Sequence, residues 1–307
     1  GIVLGNAFHG SSGRHLINTP LPANSFTMGN LTVADGATVT LGRANNGVSL
    51  GAVSGTAGGA ASSVGIRGTG ITVAGAVGTD LAELTVESAG DVRFQSSVGV
   101  ADDRIGVLRL TGSRLTPETA VTTRFDQSVF AGQLDAGGNS DYSLFGATTD
   151  VSGATTFSTS GTVNLADVSS DVLRFTGGLT HVAGPTTLAA DLQTDAAVSL
   201  AALTVRETVT IDSGARTTSG IRTGLVTLAQ DKSLAIGTAA TTAAVQLAAV
   251  TAEAASAGIV SDLTITTSGS VTVGNSLGGQ LDDLLIDNAS DIRIGGDFGI
   301  AVAHPDR

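Results

Sequence analysis

The chain has no cysteine, no tryptophan, one tyrosine and one methionine in 307 residues. Without cysteine there is no disulfide scaffold and no zinc–thiolate site. Lysine is almost missing too: of the 15 basic residues, fourteen are Arg and one is Lys232. No Gly-Lys-[Ser/Thr] occurs, so a P-loop is excluded in spite of Gly-rich stretches such as Gly51–Gly70. A net charge of −12 with no basic cluster argues against nucleic acid as a partner. Aromatics are 3 % of the chain, although a wide globular core and an enzyme pocket usually draw on them. No apolar run reaches about 18 residues, so no membrane-spanning helix is expected. The opening Gly1-Ile-Val-Leu-Gly5 carries no basic segment of a signal peptide and no initiator Met. On that basis the chain reads as a processed product or an excerpt.

What is present is glycine (42 residues), small aliphatics and threonine, with a mean hydropathy of +0.30. That is too apolar for a disordered chain and matches a strand palette. By length alone about two globular domains would be expected. The internal pattern points elsewhere. Leu31–Leu41 reads as strand, Asp-Gly turn, strand, and Leu84–Phe94, Leu263–Val273 and Leu284–Ile294 share the outline. Leu203–Ile211 is a compressed version. Apolar residues alternate over three positions in each, which indicates short strands with one buried face. The last two full copies start at Leu263 and Leu284. Their spacing falls in the range of roughly 20–30 residues that, built of strands and turns, is the signature of a solenoid. The coils of a solenoid bury their inward side chains only by stacking.

A longer repeat runs at a constant offset: Thr72/Thr272, Val73/Val273, Gly78/Gly278, Leu81/Leu281, Leu84/Leu284, Asp91/Asp291, Arg93/Arg293 and Gly99/Gly299 coincide without a gap. The expected organisation is an irregular N-terminal cap or arm over 1–30 and a β-solenoid over 31–300. Super-repeat copies fall at about 48–99 and 245–299, with a tail over 301–307. The fold class is all-β, a parallel β-helix (β-solenoid) of short strands and Gly/Asn/Asp turns. At about 22 residues per coil, about fourteen coils follow. Residues 115–150, with Pro117, Asn139 and Tyr142, read as a longer loop or a bend in the stack. Thr241–Ala257 carries enough alanine for a short helix. The preferred reading is that alanine fills a thin part of the solenoid, since helix propensity is a weak guide. Inward positions are assigned to Leu84, Val86, Val92 and Phe94, and tight turns to Asp35-Gly36 and Asn46-Gly47.

The phrase Val77-Gly78…Leu81-x-x-Leu84-Thr-Val86…Ala89-Gly-Asp-Val-x-Phe94, followed by Val98-Gly99 and Ile105–Gly112, resembles the degenerate repeats of bacterial filamentous-haemagglutinin-like and giant repeat adhesins. The resemblance covers most of residues 30–300. It implies a right-handed parallel β-helix, export, and a role in adhesion, surface coats, biofilm matrix or filaments. No two-partner secretion domain and no calcium nonapeptide is found, so export route and calcium dependence do not carry over.

Few residues suggest chemistry. His9, His15, His181 and His304 sit in no zinc-ligand spacing. His9 and His15 read as surface or loop histidines, and His304 lies in the tail. Asp102-Asp103 and Asp282-Asp283 are adjacent pairs. Strand neighbours point to opposite faces, so these read as solvated turn carboxylates rather than an acid/base couple. Gly137–Asp141 and Asp287-Asn288 offer oxygen ligands for calcium. Asp91/Arg93 and Asp291/Arg293 each share a strand face and read as exposed ion pairs, with a register-setting charge ladder as the sharper alternative. The triplets Asn30-Leu-Thr32 and Asn288-Ala-Ser290 match a glycosylation signal but lie inside the repeat.

No residue is assigned a catalytic, cofactor-binding or metal-binding role, and no cofactor beyond a candidate calcium ion is expected. The reading is a non-enzymatic, extracellular segment or subunit of a bacterial surface fibre or adhesin. Its expected partners are copies of itself, in a filament or surface layer, and secondarily host or cell-surface glycans. A carbohydrate-active or carbohydrate-binding β-helix of lyase or tailspike type is the alternative. An ice- or mineral-binding solenoid is set aside because threonine spacing looks irregular.

Overall fold

The computed structural model describes residues 2–4, 14–16, 25–42, 46–112, 121–214, 220–253, 261–279 and 281–296. All regular elements among them are strands, and the ladders they form are parallel. The chain divides into two compact units, Gly1–Thr162 and Val163–Arg307. Each is a β-solenoid, and together they make about 11 turns. That is fewer than fourteen because some coils are long, as where Val98 pairs with Val129 of the next turn.

In unit 1 each coil adds to three ladders. One ladder runs Ile2–Leu4, Leu31–Val33, Val53–Gly55 and then through single bridges at Val77, Val98 and Val129. A second runs Arg14–Leu16, Thr38–Gly42, Ser62–Gly68, Leu81–Ser88, Ile105–Gly112 and Val129–Gly138. The third links Ser25–Met28, Gly47–Leu50, Gly70–Val73, Val92–Phe94, Thr122–Phe125 and Asp141–Leu144. Residues 1–30 thus contribute three strands in register with the coil that follows. Their connections lie outside the described residues, as does the tail over 301–307.

Inward positions stack into a continuous core. Leu84, Val86, Val92 and Phe94 are 0–2 % exposed, as their alternation indicated. The scarce aromatics are concentrated inside: Phe94, Phe125, Tyr142 and Phe157 are among the largest fully buried side chains. One expectation is corrected here, and the preferred reading of a second segment agrees with the structure. Residues 121–150 are not a loop or bend but strands in regular register, with Tyr142 facing inward. Segment 113–120 lies outside the described residues. Within Thr241–Ala257, Val245–Ala252 is a strand pairing with Ile221–Leu228, so backbone pairing outweighs the helix propensity of alanine.

The Tyr142 hydroxyl donates to the Gly137 carbonyl, and burial pushes its pKa up to about 12 despite hydrogen bonds from the backbone. A raised folded-state value stabilises fully below the unfolded value of 10 and is lost as pH climbs towards 12. As the sole tyrosine, it titrates without overlap. We expect tyrosinate absorbance of the folded protein to appear about two pH units above that of the denatured chain. Ionisation at the ordinary value with the fold intact would refute the burial. Tyr142→Phe should cost about 1 kcal/mol for the lost hydrogen bond.

In unit 2 one ladder runs Val172–Phe175, Leu192–Gln193, Val209–Asp212, Leu234–Ile236, Ser261–Thr266 and Leu281–Asp287. The other two are built largely by long strands that turn a corner: Leu179–Leu188, Val198–Val205, Ile221–Leu228 and Val245–Ala252. At each corner alternation skips a step. Leu200 and Leu203 are both inward, as are Thr223 and Val226, and Leu247 and Val250. The two residues between each pair face outward. Unit 1 does the same at Leu81/Leu84 and Ile105/Leu108.

Candidate functional site

The described part of unit 2 ends on strands Leu277–Gly279, Leu281–Asp287 and Asp291–Ile294. Each pairs along one edge with the preceding coil, and among the described residues no strand joins the opposite edge. Apolar side chains lose their cover there. Val271 and Val273 are 0 % exposed, whereas their register partners Ile292 and Ile294 are 49 % and 36 % exposed. The matching stretch in the first super-repeat copy behaves differently. Val92 and Phe94 are buried under Thr123 and Phe125 of the next coil. The local sequences are alike, and what differs among the described residues is a following coil.

The same terminal coil holds an acidic cluster. Carboxylate oxygens of Asp262, Asp282 and Asp283 all lie within 4.8 Å of one another. This corrects the expectation that Asp282 and Asp283 point to opposite faces. Ser261 pairs with Leu281 and Leu263 with Leu284, so Asp262 alone faces two residues at a bulge. The alternation rule fails at that corner. Sequence reasoning missed Asp262 altogether, although the longer repeat held a hint: Leu81–Leu84 shows the same register shift against Ser62 and Ser63. The Ser233 hydroxyl lies 3.4 Å from an Asp262 carboxylate oxygen. Exposed carboxylates commonly crowd without an ion, and nothing else at this position indicates a ligand.

The other candidate residues are mostly taken up by structure. The Asp141 carboxylate accepts the Thr162 N–H at 2.7 Å. Asn288 donates to Asp287 at 3.2 Å and occupies the left-handed turn region at φ 63°, which asparagine tolerates well. Neither segment converges with the Asp262 cluster as a ligand set. The Asp103 carboxylate accepts the N–H of Asp80 at 3.2 Å. The Asn30 side chain accepts the Ala52 N–H of the next coil at 2.9 Å. His181 is fully buried, with Nδ1 2.8 Å from the Thr186 hydroxyl. His15 lies in strand Arg14–Leu16, while its side chain, His9 and His304 lie outside the described residues. Lys232 pairs with Glu207 at 2.8 Å.

The Asp-x-Arg repeat also splits. Arg293 pairs with Asp291 at 2.8 Å, both exposed, as the simple reading had it. Arg93 instead reaches Asp126 of the next coil at 2.6 Å, and the Asp91 carboxylate accepts the Thr122 N–H. Arg93 and Arg124 are register partners, and Asp126 bonds to both. Here the charge-ladder reading describes the geometry. Burial works against ionisation of Asp126, but the guanidiniums of Arg124 and Arg93 outweigh it and hold its carboxyl below the usual range. A depressed folded-state value stabilises above the unfolded value of 3.8 and is lost as pH falls through the lower one. Asp126→Asn should cost about 1 kcal/mol at neutral pH, a figure discounted for the exposed arginine ends. Chemical denaturation should show the gap between variant and wild type closing in acid below pH 3.8. A gap that persists there would sink the ionic explanation.

The fold defines a parallel β-solenoid. Comparison with protein-family models, curated proteins and solved structures returned no match.

Proposed function

We propose that this protein is a non-enzymatic structural β-solenoid, a segment or subunit of a bacterial surface fibre or adhesin, whose copies associate outside the cell through strand edges. The observation that carries the reading is the all-parallel stacking of coil on coil in both units, in which each strand pairs through backbone ladders that a further strand can extend. Open strand edges with apolar faces are templates for further pairing. The resemblance of residues 77–112 to filamentous-haemagglutinin-like repeats supports the location and the adhesive role. The surface acidity, a net −12, limits indiscriminate aggregation.

Electron micrographs and sedimentation of the purified protein test it. Unbranched fibres or concentration-dependent oligomers are expected. Isolated particles at every concentration would count against it.

A carbohydrate-directed reading has one observation in its favour. A polar groove of about 420 Å³ in unit 2 is lined by Arg174, Gln193, Asp195 and Asp212, among others. Its lining includes no aromatic ring on which a sugar would stack. Polysaccharide turnover abolished by Asp195→Asn or Asp212→Asn would replace the structural reading with this one.

A further inference from the structure

We infer that the polar groove of unit 2 is a capture site for a uronate-bearing saccharide, held by charge and hydrogen bonds and not cleaved. The inference rests on the carbohydrate-directed reading for its ligand class. It needs no turnover, and it holds whether or not copies of the chain associate. The groove lies over three successive coils. Arg174, Gln193 and Asp212 are register partners on its floor. Thr176, Asp195 and Gly214 follow two positions later in each coil. Its volume of about 420 Å³ is that of a small-ligand site. Two strand spacings separate Arg174 from Asp212, about 10 Å, roughly the reach of a disaccharide.

The charges of the groove are open to a ligand. In unit 1, Arg67, Arg93, Arg104, Arg109 and Arg124 each pair with a carboxylate. Arg174 instead donates to the neutral amide oxygen of Gln193 at 3.3 Å. That bond uses the Gln193 oxygen and leaves its NH2 group as a second donor. At the other end, one Asp212 carboxylate oxygen accepts the Gly214 N–H at 2.9 Å. The Asp195 carboxylate has no protein partner among the described residues. Gly214 stands at φ 61°, and a methyl there would lie 3.2 Å from an Asp195 carboxylate oxygen. Glycine therefore keeps that carboxylate within reach of a ligand. Donors at one end and acceptors at the other set the ligand's chemistry. A carboxylate suits Arg174 and Gln193, and sugar hydroxyls donate to Asp195 and Asp212. A polyphosphate would meet two repelling carboxylates, and a metal ion a repelling guanidinium. The two ends lie further apart than the ammonium and carboxylate of an α-amino acid. With no aromatic ring in the lining to stack on, binding depends on charge.

Isothermal titration calorimetry of the full chain tests the inference, with oligosaccharides of galacturonate, glucuronate and mannuronate beside their neutral counterparts. At least one uronate should bind about tenfold more tightly than its neutral counterpart, the scale of one charged hydrogen bond. That preference should shrink as sodium chloride rises, a readout that needs no variant. Arg174→Gln should abolish the preference and Arg174→Lys should keep part of it, with circular dichroism unchanged. Gly214→Ala should weaken uronate and neutral sugar alike, since it fills the groove. Arg222→Gln, outside the groove, should leave binding as it is. If a neutral sugar binds as tightly as every uronate, or Arg174→Gln behaves like wild type, the uronate assignment is wrong and the carbohydrate-directed reading stands. If no saccharide binds at all, both fall. If the bound sugar is shortened during the titration, the groove is an active site and capture without cleavage is refuted.

Discussion

Phe94→Ala destabilises the first unit by about 3–5 kcal/mol, the range for emptying a fully buried aromatic site. Phe94 and Phe125 are register partners in successive coils, 0 % and 1 % exposed, with parallel rings and centroids 4.7 Å apart. The in-register stacking that sets strand spacing also sets this ring spacing, so the rings have no freedom to close a gap. Phe94→Ala leaves a void between Val73 below and Phe125 above, both held by their own ladders. Phe94→Leu should cost less, under about 2 kcal/mol, because most of the volume is kept. A double-mutant cycle with Phe125→Ala isolates the ring contact, expected at about 0.5–1.5 kcal/mol. Stacked repeats can open locally rather than all at once, so hydrogen exchange is the more telling probe. Protection should fall first in Val92–Phe94 and Thr122–Phe125. A loss below about 1 kcal/mol would mean that the coils collapse onto the void.

Gly132→Ala should destabilise the same unit by about 1–3 kcal/mol. A methyl at Gly132 would sit 2.5 Å from the carbonyl oxygen of Gly106 in the preceding coil. One at Gly106 would meet the Ala82 carbonyl, and one at Gly153 the Gly132 carbonyl. The obstacle is backbone fixed by ladder hydrogen bonds, not a side chain that can rotate away. Alanine also restricts the unfolded chain, which favours folding by about 0.4–1 kcal/mol, so the clash must exceed that gain. Thermal unfolding of Gly132→Ala beside Gly137→Ala makes the comparison. A methyl at Gly137 meets only the Ser158 hydroxyl, at 2.8 Å. Equal effects at both positions would remove the backbone explanation.

These glycines mark where the sequence is readable and where it is not. Alternation over short runs placed Leu84, Val86, Val92 and Phe94 inward, because within one face the pleat fixes every second side chain. The coil period was visible for the same reason: stacking forces like residues into like positions. Corners broke the pattern. There, inward residues are three apart, as at Leu81 and Leu84, and a rule of two assigns Asp282 and Asp283 to opposite faces when they share one. The Asp262 cluster and the Arg93–Asp126 pair join residues on different coils. Their partners are set by coil lengths that vary widely, from the short circuit between Leu179 and Val198 to the long one between Val98 and Val129. No local motif encodes such distances. Pro117, Asn139 and the solitary tyrosine suggested a loop or bend over 115–150, yet burial of one ring at Tyr142 suits a strand equally well.

Variable coil length has a consequence for how such a molecule changes over time. Each coil advances its ladders by one strand spacing, about 4.8 Å, however many residues it spends on the circuit. Height in each unit is therefore counted in whole coils and is blind to residue number. Insertions at the corners can add outward loops, and with them new surface chemistry, while the interior register stays put. Lengthening proceeds by another route, the duplication of complete coils. The longer repeat, which reproduces even the bulge at Leu81 and Leu281, has the form such a copying event would leave.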